Sequence, residues 1–272
     1  GQDLNTLVSC GVNHVSFWKI KGSTLKRQKG LYGNTKHICT AVTIGSIQDM
    51  NDSSKGGGGY HIVTGMANGQ LYKWNAHKLA DRTVAHTKKV TALWSYSDGL
   101  ISGSADGTIV MWDTTLTQLR KVDVTLLRWE LTDPTIGNAT GEDATTTAAA
   151  TATTKPLLRS SNNPAVQSVT IKDGKVLVGT KGCEILEIET ELMKQLAKNQ
   201  KENPNTINTI NCPIMQAHCK GETWGVAAHP DKEEFITCGD DCTGRLWDTY
   251  DRYLKNTVDL KKKARSVTIS CQ

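Results

Sequence analysis

Five segments of this chain repeat one pattern: a short apolar run, a tight polar turn, and a second run closing on Trp or an aliphatic substitute. They read LVSCGVNHVSFWK (7–19), IVTGMANGQLYKWN (62–75), LISGSADGTIVMWD (100–113), VLVGTKGCEILEIE (176–189) and FITCGDDCTGRLWD (235–248). Each run has strand length and β-rich composition. Asn68-Gly69, Asp106-Gly107 and Lys181-Gly182 offer the positive φ that a tight hairpin needs. One such unit cannot bury its apolar face alone, so the units must stack and share a core. That argues for one large domain over two small ones in 272 residues.

Spacing separates the regular units from the interrupted ones. Trp74 and Trp112 lie 38 residues apart, the length of one four-stranded unit. The gap from Trp18 to Trp74 is 56, with the excess in the loop DMNDSSKGGGGY (49–60). Trp112 to Ile188 spans 76 and Ile188 to Trp247 spans 59, so both contain inserts. The first, about 132–163, includes EDATTTAAATATTKP (142–156), where Thr and Ala follow one another without apolar periodicity. It reads as a disordered surface excursion. The second, TELMKQLAKNQKENP (190–204), reads as a short amphipathic helix on the rim. Thr190 caps it, Leu192, Met193 and Leu196 share a face, and Asn203-Pro204 ends it.

The third and fifth segments resemble WD repeats, each preceded by an Ala-His pair, Ala85-His86 and Ala217-His218. The expected fold class is therefore all-β, a WD-repeat β-propeller with about four fuller blades and partial blades at both ends. Residues 7–18 read as only the second and third strands of a blade, and ARSVTISC (264–271) as the first strand of another. An incomplete ring leaves strand edges unpaired. Residues 1–272 are accordingly expected to be part of a larger, tandem propeller, and a first residue Gly1 in place of Met fits a fragment, a processed chain or an incomplete one.

His86, Ser102 and Asp106 are the residue types of a hydrolase triad, and His218, Thr237 and Asp241 repeat them. The repetition argues against catalysis, since a nucleophile is needed once whereas a structural device recurs in every blade. With Trp112 and Trp247, whose indole N–H groups need acceptors when buried, the two sets read as hydrogen-bonded networks. The unit at 176–189 lacks this device, because Gly182 replaces the turn Asp and Ile188 the Trp. It is expected to rest on Val178, Leu186 and Ile188 and to be among the less protected blades. No nucleophile elbow accompanies the triad types.

Other constellations fail on spacing. His218, Cys219, Cys238 and Cys242 match no zinc ligand pair. Asp49, Asn51 and Ser53 begin like a calcium loop, but Ser54 stands where Gly is required and Tyr60 where Glu is required. Gly56–Gly59 lacks the Lys-Ser/Thr pair of a phosphate loop. No cofactor is expected.

The eight Cys residues form no CxxC and read as reduced thiols of a cytoplasmic chain. Neither a secretory leader nor a spanning apolar stretch is visible, so no membrane partner is expected. The net charge of +5 is too small to imply nucleic acid, yet suits an acidic protein surface. Basic residues cluster at Lys19, Lys21, Lys26, Arg27 and Lys29, at Lys88 and Lys89, and at Lys261, Lys262, Lys263 and Arg265. A charge run is usually a solvated face. The last cluster, between Leu260 and the expected strand at 264–271, is the candidate partner-binding site.

Beyond the generic repeat, LVSCGVNHVSFW (7–18), Gly-Leu-Tyr-Gly (30–33), GTKGCEILEIE (179–189), AHCKGETWGVAAHP (217–230) and LKKKARSVTIS (260–270) resemble the echinoderm microtubule-associated protein-like family. The resemblance covers nearly the whole chain outside the two inserts. It implies tandem propellers that bind tubulin and microtubules, a cytoskeletal setting that is axonemal or ciliary in some members, and no enzymatic activity. The family's upstream hydrophobic motif and coiled-coil segment are absent here. The alternative reading is a WD-repeat scaffold or peptide-binding subunit of another complex, such as a ciliary transport or ubiquitin-ligase assembly.

Overall fold

The computed structural model describes residues 6–32, 38–46, 60–129, 158–159, 163–211, 213–250 and 253–269. Its first sheet is β1 (Thr6–Gly11), β2 (His14–Lys21) and β3 (Thr24–Lys29), paired antiparallel in that order. The second is β4 (Cys39–Ser46), β5 (Tyr60–Met66), β6 (Gln70–Asn75) and β7 (Lys78–Val84); the third is β8 (Val90–Tyr96), β9 (Gly99–Ser104), β10 (Thr108–Asp113) and β11 (Gln118–Asp123). A small sheet follows, in which β12 (Leu127–Trp129) pairs antiparallel with β13 (Leu158–Arg159). The fourth blade comprises β14 (Val166–Lys172), β15 (Lys175–Thr180) and β16 (Glu184–Glu189). Helix α1 (Thr190–Glu202) and β17 (Asn208–Thr209, parallel to β12) interrupt it before β18 (Met215–Gln216) completes its outer edge. The last sheet is β19 (Thr223–Ala228), β20 (Glu234–Gly239), β21 (Thr243–Asp248) and β22 (Leu254–Asp259).

Burial explains the composition of each strand. β9 and β10 are covered on both faces and buried over nearly their whole length, so LISGS and TIVMW carry no alternation. The outer strand β7, KLADRTV, is mostly exposed and accordingly polar. Two bulges recur. One breaks the register of each innermost strand, between Cys39 and Ala41, Val90 and Ala92, Val166 and Ser168, and Thr223 and Gly225. The other falls immediately before Trp74, Trp112 and Trp247. Recurrence marks both as design features of the blade, bending each strand at a fixed place.

Neighbouring blades interlock in chain order. A Cβ on Gly103 would lie 2.5 Å from Val166 Cγ1, and one on Gly65 equally close to Val90 Cγ1, so only glycine admits the next blade there. Thr40 Oγ1 donates to the Val90 carbonyl and Thr91 Oγ1 to that of Val166, repeating the link one blade on. Apolar cores fill the gaps. Phe17, Tyr72 and Trp74 sit in the first, Val63, Leu100 and Trp112 in the second, and Ile101, Met111, Trp129, Val178, Leu186 and Ile188 in the third. Met193 and Leu196 of α1 join the third core. No residue of β19–β22 belongs to any of them, and Val226 is 70% exposed.

Several expectations need correction. The first sheet has three strands, because Thr24–Lys29 adds the outer one. Residues 264–269 form no strand, since no described segment runs alongside them as a ladder; they lie against the inner edge of the last sheet, with Ala264 N–H donating to Gly239 O at 3.2 Å. Thr190 does not cap α1. It is the first helical residue, and Glu189 takes the cap position with no side-chain bond to the helix. Within the Thr/Ala-rich insert, Leu158–Arg159 pairs with β12; its residues 132–157 and 160–162 lie outside the described residues, as do 49–59 of the Gly-rich loop. Finally, the left-handed hairpin position is not Gly182 but Cys183, at φ 58°. Gly69, Gly107 and Cys242 hold the corresponding position in the second, third and last blades, so these turns are one residue longer than a two-residue loop, whereas Asn13 closes a two-residue loop between the paired Gly11 and His14.

Candidate functional site

In the third blade, the loop before β8 drops His86 between β9 and β10. Its Nε2 lies 2.8 Å from Ser102 Oγ, which also accepts Trp112 Nε1–H at 2.9 Å. Its Nδ1 lies 2.7 Å from Thr108 Oγ1, and Thr108 Oγ1–H donates to Asp106 Oδ1 at 2.7 Å. Asp106 itself stands 3.8 Å from the ring, so Thr108 mediates the contact expected to be direct. An ionised Asp106 makes Thr108 its donor and so the acceptor of His86 Nδ1–H, and with the other ring nitrogen bare Ser102 donates to it. That direction requires a neutral ring. Burial pushes the imidazole down to about 4 against the opposing field of Asp106. Burial alone would raise the Asp106 carboxyl, but bonds from Thr108 and Thr87 outweigh it and hold it well below the usual carboxylate range.

The last blade builds the same device more directly. Trp247 Nε1–H donates to Thr237 Oγ1 at 2.8 Å, Thr237 Oγ1 lies 2.9 Å from His218 Nε2, and His218 Nδ1 lies 2.8 Å from Asp241 Oδ1. Burial pushes the Asp241 carboxyl up, and the His218 and Thr243 bonds override it and lower it. Sequence reasoning missed two simpler members of the series, Trp74 donating to Thr64 and Trp18 to Ser9, each at 2.9 Å. The signal was available. A Ser or Thr stands ten residues before Trp74, Trp112 and Trp247, and nine before Trp18. In the fourth blade the site is rebuilt without Trp: Val176, Val178, Leu186 and Ile188 are fully buried, and Thr180 Oγ1–H donates to the buried Glu184 at 3.0 Å.

The hydroxyl nearest to a triad nucleophile, that of Ser102, is not accessible. Ser102 is fully buried, and its oxygen is engaged by both His86 and Trp112. Among the described residues no group of three or more His, Cys, Asp or Glu side chains is placed to hold a metal ion.

The basic segment is divided. Lys263 Nζ lies 3.5 Å and Arg265 3.7 Å from Asp240, and the Arg265 guanidinium stacks 4.4 Å over the Trp224 ring, whose Nε1–H donates to Asp240 at 3.2 Å. These two cations are therefore tied to their own blade. Lys261 and Lys262 are exposed, with Lys261 at φ 60° and its N–H donating to Asp259 Oδ1. Among the described residues, Lys261 and Lys262 form no ion pair, whereas Lys263 and Arg265 do.

The family "WD domain, G-beta repeat" matches residues 79–113 and 211–248, the stretches that contain the Trp112 and Trp247 networks. The chain carries WD repeats. This WD-repeat chain is similar to the ciliary WD repeat-containing protein ctxp80 of Euplotoides octocarinatus, with 25% identity over 91% of the chain and 26% of the relative. It is similar to human echinoderm microtubule-associated protein-like 2, with 24% identity over 90% of the chain and 29% of the relative, and to human echinoderm microtubule-associated protein-like 1, with 24% identity over 90% and 23%. The WD-repeat chain thus spans about a quarter of the length of the curated relatives it matches. No helix among the described residues is long and apolar enough to cross a membrane.

Proposed function

We propose that this chain is a non-enzymatic, microtubule-associated WD-repeat protein whose blades bind tubulin on cytoskeletal or ciliary structures. The observation that carries the reading is the similarity, over nine-tenths of the chain, to proteins whose names place them on microtubules and in cilia. Recurrence of the His–Ser/Thr–Trp device in separate blades, with each hydroxyl held between a His ring and a Trp N–H, supports a structural role for it and a binding role for the whole. Tubulin is the partner, with other cytoskeletal or ciliary proteins on the same structures; nucleic acid, membrane and cofactor play no part. Lys261 and Lys262, with the net charge of +5, supply attraction to an acidic surface.

Co-sedimentation with taxol-stabilised microtubules at low and raised salt tests it. The chain should pellet with microtubules and be released as salt rises. Lys261→Glu/Lys262→Glu should weaken pelleting while leaving Lys263 and Arg265 on Asp240. Equal pelleting of that variant would place the contact elsewhere on the blades. Absence of pelleting by the parent chain would favour a scaffold of another complex.

A further inference from the structure

A groove of about 920 Å³ opens between the outer strand β11 and helix α1, within the size range of ligand pockets of about 300–1,000 Å³. Its strand wall carries Arg120 and Lys121 and its helix wall Lys194, Lys198 and Lys201. The three helical lysines recur at i, i+4 and i+7, one face of the helix, while Met193 and Leu196 anchor the opposite face in the core. Five cations therefore line the groove against two carboxylates, Asp106 and Asp123. Both carboxylates are already occupied, Asp106 by Thr87 and Thr108 and Asp123 by the Thr125 N–H at 2.8 Å. The lysines are not. Lys194 and Lys198 make only long, exposed contacts at 3.8 and 3.9 Å to Glu191 and Glu202, and Lys121 and Lys201 form no ion pair among the described residues.

The groove also has a fixed floor and an open strand edge. Gln200 clamps α1 to the end of β11, with Asp123 N–H donating to Gln200 Oε1 at 2.7 Å and Gln200 Nε2 to Asp123 O at 3.1 Å. The Asp123 amide thus points away from β10, and alternation along an edge strand turns the Lys121 amide the same way. We propose that this groove binds an acidic peptide segment in extended conformation, laid along the β11 edge with its carboxylates on the helical lysines. This goes beyond the tubulin reading and does not depend on it, since the groove is distinct from Lys261 and Lys262.

The test is fluorescence anisotropy of the full chain with a fluorescein-labelled decapeptide alternating Glu and Thr. Binding should weaken with salt. It should fall about five- to ten-fold in Lys194→Gln/Lys198→Gln/Lys201→Gln, which keeps helix-forming residues and the buried face. The control Lys19→Gln/Lys21→Gln/Lys26→Gln, on the first sheet, should bind as the parent does. The peptide N-methylated on alternate amides should bind more weakly, because it cannot pair with the strand edge. Equal affinity of parent and helix variant, equal loss in the control, equal binding of the N-methylated peptide, or tighter binding of a single-stranded oligonucleotide of matched charge would each overturn the assignment. Microtubule pelleting, measured in parallel, reports separately on the tubulin reading.

Discussion

Ser102 Oγ holds the third blade together at one atom, because the His86 ring reaches it from the loop before β8 and the Trp112 indole from β10. Trp112→Phe keeps most of the apolar burial and removes one donor, leaving the network short of a partner. We expect a loss of roughly 1–3 kcal/mol, read as a lower denaturant midpoint. A change below a few tenths would show that the bond is replaceable. His86 sets a pH dependence of definite sign. The unfolded ring takes a proton near its ordinary value of 6.5, whereas the folded ring resists until about 4. Its contribution is therefore complete above pH 6.5 and is lost as pH falls through that window, by about 3 kcal/mol from pKa values of 6.5 and about 4. Unfolding midpoints from pH 8 to pH 4 should fall in the parent and fall less steeply in His86→Gln. Parallel curves would assign the slope to other groups.

Among the elements, the fourth and last blades exchange the rank their sequences suggest. The fourth lacks the Trp network, yet Val176, Val178, Leu186 and Ile188 are fully buried and joined to α1. The last possesses the full network but contributes to no apolar core, and Trp224 and Val226 are exposed. Local stability follows buried contacts more than any single hydrogen-bond chain. Amide exchange should therefore be fastest in β19–β22 and slower in both β8–β11 and β14–β16. Equal protection of β8–β11 and β19–β22, with β14–β16 exchanging fastest, would mean that the network alone sets stability.

At the scale of the whole molecule, the insertions leave the stacking of blades intact. Trp129 and Leu158 face each other in register, so residues 130–157 connect two paired strands whose ends are already adjacent. Replacing 130–157 by a four-residue Gly-Ser turn should preserve cooperative unfolding. Shortening the closed loop about seven-fold should raise stability by about 1–2 kcal/mol at most, since closure entropy varies with the logarithm of length. A broadened or multiphasic transition would reveal packing by the replaced segment. The second insert behaves differently. Met193 and Leu196 enter the core, so removing α1 should cost far more than removing the Thr/Ala-rich loop.

The repeat period, the strand runs around each hairpin, and the His, Ser/Thr and Trp positions were all legible in the chain, because each depends on local spacing: ten residues from Ser102 to Trp112 make the two diagonal neighbours across a single hairpin, with Val110 opposite Ser102 and Leu100 opposite Trp112. The mediation of Asp106 by Thr108 was not, since it turns on ring placement, 3.8 Å from Asp106 for His86 against 2.8 Å from Asp241 for His218. Nor was the fate of the basic segment. Lys263 and Arg265 read as free charges until the fold brings Asp240 and Trp224, more than twenty residues upstream, beneath them. The groove between β11 and α1 has the same origin, because Lys121 and Lys194 become neighbours only when the helix docks through Met193, Leu196 and Gln200. Sequence spacing determines which residues can meet within a hairpin; long-range packing decides which charges are paired and which remain to meet a partner.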